Sequence, residues 1–575
     1  MDQSNFSKGE NRMAEYLSPG VYVEEYDNSP RAVEGVGTST AGFVGMAVKG
    51  PSCGAPSLVT SFADFQRQFG GYLDEITYGE YRYLAFAAEQ FFVNGGTRCF
   101  VARVVPPDAK KAAGTYGILT AEAVDEGKWG NKIMISVNTS CRKKMQLVEK
   151  LGDRVYRAKS PAGFLEGDLV SFHGEVNRIA AVYGGEITME EEFTVNPVDN
   201  NIVPVNVVTS LEIDLSVRYE DEVESYEGMT LNQTSPDYVE KRMGKSKLVK
   251  ITCTPEDKRK NPVEMILGEG VSDGSVTLSG GSDGTLALVN DGTFIGEDSG
   301  PGKRTGIQAF LENDFVSIMA VPGITSQAVE VSLVSHCENL KSRMAVLDMP
   351  KQMTKMSELI EFRSIIDSTY AAMYHPWIQQ FDRTAKCSGM FPPSGAVMGV
   401  YSRCDINRGV HKAPANETIS CTGLSVNYTT AEQDILAPEG INLIRALPGQ
   451  GIRIWGARTA GSDPSFRYIN VRRLFIFVEQ SIKASTNWVV FEPNDATLWA
   501  RVLKTIADFL EHLWRNGMLA GASSSEAYFV EIGPSTMSQD DMMAGRLICN
   551  IGIAPSRPAE FIIFRITQHT AEAGE

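Results

Sequence analysis

No apolar run in this 575-residue chain reaches the roughly 20 residues needed to cross a bilayer, so no membrane-spanning helix is expected. The opening Met1-Asp2-Gln3-Ser4-Asn5 has neither a basic nor an apolar stretch, and no secretory signal is expected there. Nine cysteines are scattered without one C-x-x-C pair. An odd count without framework spacing predicts free thiols, not a disulfide scaffold. Histidine is scarce. His173, His336, His375, His411, His512 and His569 are the six, and none stands at metal-ligand spacing from another His or from Cys. Basic charge is in deficit: 54 Lys+Arg against 71 Asp+Glu leave a formal net charge of −17. That balance disfavours nonspecific binding to nucleic acid or to anionic membranes. Core material, by contrast, is ample. Hydrophobic residues make up 43% and charged residues 22%, which excludes disorder as the general state. The length corresponds to about three or four domains.

Motifs for chemistry are also missing. Gly50-Pro51-Ser52-Cys53-Gly54 fits the G-x-S-x-G pattern, but a nucleophile elbow needs a strand, a sharp turn and an immediate helix. Pro51 and Pro56 bracket this serine, and an extended segment follows. Gly296 to Lys303 misses phosphate-loop spacing by one residue, and Arg304 occupies the Ser/Thr place. Gly35-Val36-Gly37 precedes a strand, where a dinucleotide fingerprint would follow one. Asp273, Asp283 and Asp291, each followed by Gly, read as turns without the alternating ligands of a calcium loop. The short basic clusters Arg472-Arg473, Lys303-Arg304 and Arg242 to Lys250 lack stacking aromatics and read as solvated or protein-contacting faces. The sequence thus offers no catalytic, cofactor-binding or metal residues, and leans towards structure or assembly.

Hydrophobic patterning predicts an α/β (α+β) core built discontinuously from the two ends of the chain. A β-rich, sandwich- or barrel-like region is inserted between them, and extended arms lie at both termini. The divisions are an N-terminal arm (1–26), a first core part (27–106), the inserted region (107–304), a second core part (305–553) and a C-terminal strand arm (554–575). Strands are expected at Ala41–Val48, Cys99–Val105, Phe315–Val321 and Met344–Leu347, and helices at Tyr81–Val93, Ala328–Lys341 and Glu358–Tyr370. Short Val/Ile/Thr/Tyr-rich segments with Asp-Gly and Gly-Gly turns fill the middle, with an extra barrel-like module at about 142–205. Leu498, Trp499, Val502, Leu503, Ile506, Phe509, Leu510, Leu513 and Trp514 recur at three-to-four spacing and predict a long helix over Asn494–Asn516.

The C-terminal half carries a distinctive series. It begins with Phe391-Pro392-Pro393-Ser394-Gly395 and the run from Asp405 to Asn416, which holds Arg408, Gly409, Lys412 and Pro414. Trp455-Gly456-Ala457-Arg458-Thr459, the run Tyr468 to Leu474 with Asn470, Arg472 and Arg473, Phe491-Glu492-Pro493-Asn494, and Pro558-Ala559-Glu560-Phe561-Ile562 follow. Near the start stands Tyr16-Leu17-Ser18-Pro19-Gly20-Val21-Tyr22-Val23. Together these resemble contractile tail sheath proteins of phages and of phage-tail-like injection particles, over roughly 15–105 and 305–570. The resemblance implies a non-enzymatic homo-oligomer without cofactors. It would form stacked hexameric rings around an inner tube, with baseplate and tail-terminator (cap) partners. It would sit in a virion tail or similar particle assembled in the bacterial cytoplasm.

Contraction without loss of continuity calls for linked subunits, and isolated terminal strands can supply the link by pairing with a neighbour's sheet edge. Val21, Tyr22 and Val23, and Phe561, Ile562, Ile563, Phe564 and Ile566, are the expected exchange strands. Asp27 to Pro30 and Gly552 to Ser556 are the expected hinges. The insertion is expected to face outward, and Arg501, Lys504, Asp508, Glu511 and Arg515 form a candidate tube-facing surface. Two other readings stay open. One is a serine hydrolase using Ser52; the other is a surface-binding protein acting through the β-rich insertion.

Overall fold

The computed structural model describes residues 33–198, 206–254 and 259–560. These fall into two compact units, one of residues 33–34 with Ile482–Ala554 and one of Gly35–Ser481 with residues 555–560.

A nine-stranded sheet organises the larger unit, in the order Ser57–Val59, Cys99–Val104, Ala41–Met46, Ile318–Ala320, Met344–Asp348, Ala371–His375, Ile441–Leu447, Gly451–Ile454, Glu417–Thr418. The six strands from Cys99–Val104 to Ile441–Leu447 run parallel. A parallel sheet covered by helices on both faces needs apolar residues throughout its strands. Ala41–Met46, Met344–Asp348 and Ala371–His375 are accordingly buried at every position. One face packs on helices Tyr83–Val93 and Ser394–Arg408, the other on Gln327–Leu340 and Met356–Arg363.

The middle of the chain contributes a four-stranded sheet (Glu222–Met229, Glu212–Tyr219, Met134–Ser140, Asp273–Thr277) and a three-stranded one (Val249–Cys253, Leu119–Glu126, Lys111–Tyr116) that share one apolar core. Six strands between Lys144 and Ser210 close into a barrel around Tyr156, Phe172 and Phe193. Closure leaves this module no free sheet edge.

The smaller unit is built on helix Ala496–Arg515, started by the Asp495 carboxylate, which accepts from the Leu498 amide at 2.8 Å. Its apolar stripe of Leu498, Val502, Ile506, Phe509, Leu510 and Leu513 is buried. Strands Tyr528–Ile532 and Cys549–Ile553 form an antiparallel two-stranded ribbon that packs on this helix.

Three local expectations change. The helix expected to run to Tyr370 stops at Arg363, whose guanidinium turns back onto the carbonyls of Ile366 (2.7 Å) and Glu439 (2.7 Å). The strand expected from Phe315 starts at Ile318, because the Asn313 side chain accepts from the Phe315 amide (3.0 Å) and holds a turn there. Gly552 and Ile553, expected in a flexible connector, end a paired strand opposite Phe529 and Tyr528. Ala554 is fixed too, its amide donating to Ala527 and its carbonyl accepting from Ala520. The division between the two units falls immediately after it.

Candidate assembly site

The expected exchange strands, Val21–Val23 and Phe561–Ile566, lie outside the described residues. The residues leading into the second of them are described, and they are tied to the motif positions. Asn442, buried in strand Ile441–Leu447, donates to the carbonyls of Met373 (3.1 Å) and Arg458 (2.8 Å) and accepts from the Arg458 amide (2.8 Å). Gly456 permits this approach, since a Cβ there would stand 2.8 Å from Asn442 Oδ1. Trp455 continues the register by donating its amide to Leu443 (2.7 Å). With its backbone fixed, Arg458 aims a planar fork outward. Nε and Nη2 each donate to the Glu560 carboxylate at 2.8 Å, and Nη1 donates to the Ala437 carbonyl at 3.0 Å. The Tyr468 hydroxyl adds a third bond to Glu560, at 2.9 Å. Burial pushes the Glu560 carboxyl up, but the bonds from Arg458 and Tyr468 outweigh it and hold the group below its ordinary value. Asn470 donates to the carbonyls of His411 (2.7 Å) and Ser556 (3.2 Å). Three side chains thus clamp the root of the C-terminal arm between Ser556 and Glu560.

The arginine pair Arg472-Arg473, which the sequence reads as a solvated or contacting face, is buried instead. Arg473 donates to Asp405 from Nη1 (2.9 Å) and Nη2 (2.5 Å), donates to the Thr38 carbonyl (2.9 Å) and lies over the Tyr401 ring. The Thr38 hydroxyl completes the group by donating to Asp405 at 2.7 Å. The pair therefore fixes the entry into strand Ala41–Met46. Arg472 stacks on Phe466, 3.5 Å from the ring centroid, and donates to the Thr369 hydroxyl at 3.1 Å. Asp405 compensates the Arg473 charge, the condition under which buried charge is tolerated, while Arg472 is held by a hydroxyl and an aromatic face.

The run from Asp405 to Asn416 is a helix end and its wrap. Gly409 ends helix Ser394–Arg408 at φ 94°, a conformation that favours glycine. Lys412 donates to the carbonyls of Ala413 (2.7 Å) and Ala415 (3.1 Å), and Pro414 is buried. The Asn416 amide donates to Ile454 (2.8 Å). Thr459 donates its hydroxyl to the Phe466 carbonyl (2.8 Å). Arg408 alone among these motif positions points a charged side chain into solvent, and with burial it lowers the His411 imidazole. Glu560, Tyr468 and Asp405 are contacts that motif reading quoted without assigning a role. The signal was present only as unexplained polar residues beside Arg458 and Arg473.

The chemical alternatives fare differently. The Ser52 hydroxyl donates to the Glu126 carboxylate at 2.9 Å, and strand Ser57–Val59, not a helix, follows it. That is not elbow geometry. Arg304 is engaged by Asp298 and Glu312. Among the described residues, no group of three or more His, Cys, Asp or Glu side chains comes together to hold a metal. No described helix is long and apolar enough to cross a membrane.

Two family models account for the C-terminal half: residues 298–460 match the phage tail sheath protein central domain, and residues 461–569 the phage tail sheath C-terminal domain. Residues 298–569 thus carry the pattern of two phage tail sheath domains. A prophage major tail sheath protein of Pseudomonas aeruginosa (strain UCBPP-PA14) is 25% identical over 283 residues, 47% of this chain and 71% of its own length. The tail sheath protein of Escherichia phage P2 is 24% identical over 317 residues, 53% of this chain and 76% of its own. In fold, the chain resembles the helical sheath of the anti-feeding prophage in its contracted state. That likeness has a TM-score of 0.53 and 22% identity, and covers 96% of this chain and 99% of the other.

Proposed function

We propose that this chain is the structural subunit of a contractile sheath. Copies stack as six-membered rings wound helically around an inner tube, and the sheath shortens to drive the tube through a target envelope. Its partners are further copies of itself, the tube protein, a baseplate and a terminator. Its setting is a phage tail or a phage-tail-like particle assembled in the bacterial cytoplasm. The match of residues 298–569 to two phage tail sheath domains supports the class of function.

One observation carries the linkage. Among the described residues, the sheet of the smaller unit has only two strands, Tyr528–Ile532 and Cys549–Ile553. A lone two-stranded ribbon is marginal in water, and each outer edge presents unpaired backbone groups. We assign those edges as acceptors for Val21–Val23 and Phe561–Ile566 of neighbouring copies. An added strand of this length makes about five backbone hydrogen bonds, worth roughly 0.5–1.5 kcal/mol each. The clamp at Ser556–Glu560 supports this reading, because an arm fixed at its root departs in a defined direction. The division between the two units after Ala554 offers a place for their rigid bodies to turn. No nucleotide enters the scheme: a metastable packing relaxes, and a small gain per subunit sums over many copies.

The test is truncation. Chains lacking residues 1–26, or lacking residues 561–575, should be folded and soluble, and electron microscopy should show no tubes where the full chain makes them. Normal polymers from either truncated chain would refute the exchange.

A further inference from the structure

Helix Gln327–Leu340 places Glu330 against the core, 3% exposed, and neither carboxyl oxygen has a hydrogen-bond partner in the protein. Both oxygens are buried, and the side chain lines a cavity of about 10 Å³, roughly the room one water needs. The other polar residue at that cavity is Asp348, at the end of strand Met344–Asp348. Asp348 is well supplied. It accepts from the Ser394 amide (2.8 Å) and hydroxyl (2.6 Å) and from the Gly323 amide (3.1 Å). The turn residues Val321 and Ile324, and Val329 and Leu333 of the helix itself, bring no charge to the cavity. No cation is among its lining residues.

Two buried acidic residues lining one cavity without a cation disfavour ionisation of both at once. The three donors on Asp348 stabilise its negative charge, and Glu330 has none. We propose that Glu330 is a proton-binding site of the folded subunit, carrying its proton at neutral pH beside the Asp348 carboxylate, so that alkaline ionisation loosens the helix from the sheet. Burial, followed by the charge on Asp348, pushes Glu330 well above the ordinary glutamate value. Burial also raises Asp348, to about 6, against the pull of its hydrogen bonds. A glutamate raised in the folded state must release its proton when the chain unfolds. Its stabilising contribution is complete below the unfolded pKa and is lost as pH rises towards the folded one. Over that range the unfolding equilibrium constant rises about tenfold per pH unit on account of this one group.

The experiment is thermal unfolding of the full chain from about pH 6 to about pH 9, with Glu330→Gln and Glu330→Met beside the parent. Infrared spectroscopy of the parent and the variants at neutral pH accompanies it. The parent should lose stability with rising pH by one proton more than either variant, and should show a protonated-carboxyl band that both variants lack. Parallel pH profiles, or no such band in the parent, would overturn the proposal. Absence of the band in the parent overturns the proposal even where a variant fails to fold, and one folded variant suffices to assign the band to Glu330.

Discussion

Arg458 grips Glu560 through two hydrogen bonds of 2.8 Å, and that contact sets the last described residue of the chain against the larger unit. A bidentate fork is what distinguishes arginine from lysine at such a site. Arg458→Ala and Arg458→Lys should both fold, because the Arg458 backbone is held by Asn442 independently of the side chain. Both should weaken the clamp, by about 1–3 kcal/mol for Ala and less for Lys. Hydrogen exchange across residues 556–560 reads the loss. Unchanged protection in the Ala variant would mean that Asn470 and Tyr468 suffice.

Acid should open the same clamp. Glu560 is depressed in the folded chain, so its contribution is present above the unfolded value and lost as pH falls through the folded one. Protection of residues 556–560 should hold at pH 6 and above and fade below about pH 4.5, the ordinary glutamate range. The Glu560→Gln variant should show the faded level at every pH. A clamp equally protected at about pH 3 would mean that the charge on Glu560 contributes nothing.

Much of this architecture could be read from the chain. Unbroken apolar runs such as Ala41–Met46 announce strands buried on both faces, and the three-to-four spacing of Leu498 to Leu513 announces one helix face. The barrel shows itself by short strands between glycine turns. What the sequence hides is long-range pairing. Arg473 reads as a surface charge because most arginines are, and its partner Asp405 stands 68 residues earlier. Glu560 reads as one more acid in an acidic chain until Arg458, 102 residues away, is seen to face it. Leu503 fits the apolar pattern yet is exposed, since periodicity marks a stripe and only packing sets its width.

Breaking the Asp405–Arg473 pair should be costly. Both side chains are nearly inaccessible, and removing either leaves the other as an uncompensated buried charge. Asp405→Ala or Arg473→Ala should destabilise the larger unit by about 3–5 kcal/mol, seen as a large fall in melting temperature. Replacing both by apolar residues of similar volume should recover much of the loss. A double variant as unstable as the singles would point to Thr38 and Tyr401 as independent contributors.

Gly395 and Gly399 stand one turn apart where helix Ser394–Arg408 meets helix Tyr83–Val93. A Cβ at Gly399 would overlap the Phe91 carbonyl and stand 2.8 Å from the Asn94 Cβ, and one at Gly395 would overlap Ala87. Alanine favours an exposed helix by about 1 kcal/mol over glycine, so the two effects oppose. Backbone cannot yield as a flexible side chain can, and overpacking should win: Gly399→Ala is expected to lose about 1–3 kcal/mol, and Gly399→Leu more. A melting temperature at or above that of the parent would show that the helices can part without cost.

The exposed face of helix Ala496–Arg515 separates into used and unused charges. Arg501 lies over the Trp488 ring, and Glu511 accepts from Arg515 (2.9 Å) and from the Tyr528 hydroxyl (3.0 Å). Lys504 and Asp508 are exposed and make no hydrogen bond or ion pair among the described residues. A tube contact through this face would therefore draw on Lys504 and Asp508 first. Lys504→Glu and Asp508→Lys should each leave stability within about 0.5 kcal/mol of the parent. Each should reduce co-assembly with the tube protein, more at low salt than at high, because exposed charges are screened beyond about 10 Å at 0.1 M. Sheath formed without tube should be unaffected. Normal loading by both variants would place the tube-facing wall on another surface and leave this helix as an ordinary solvated one.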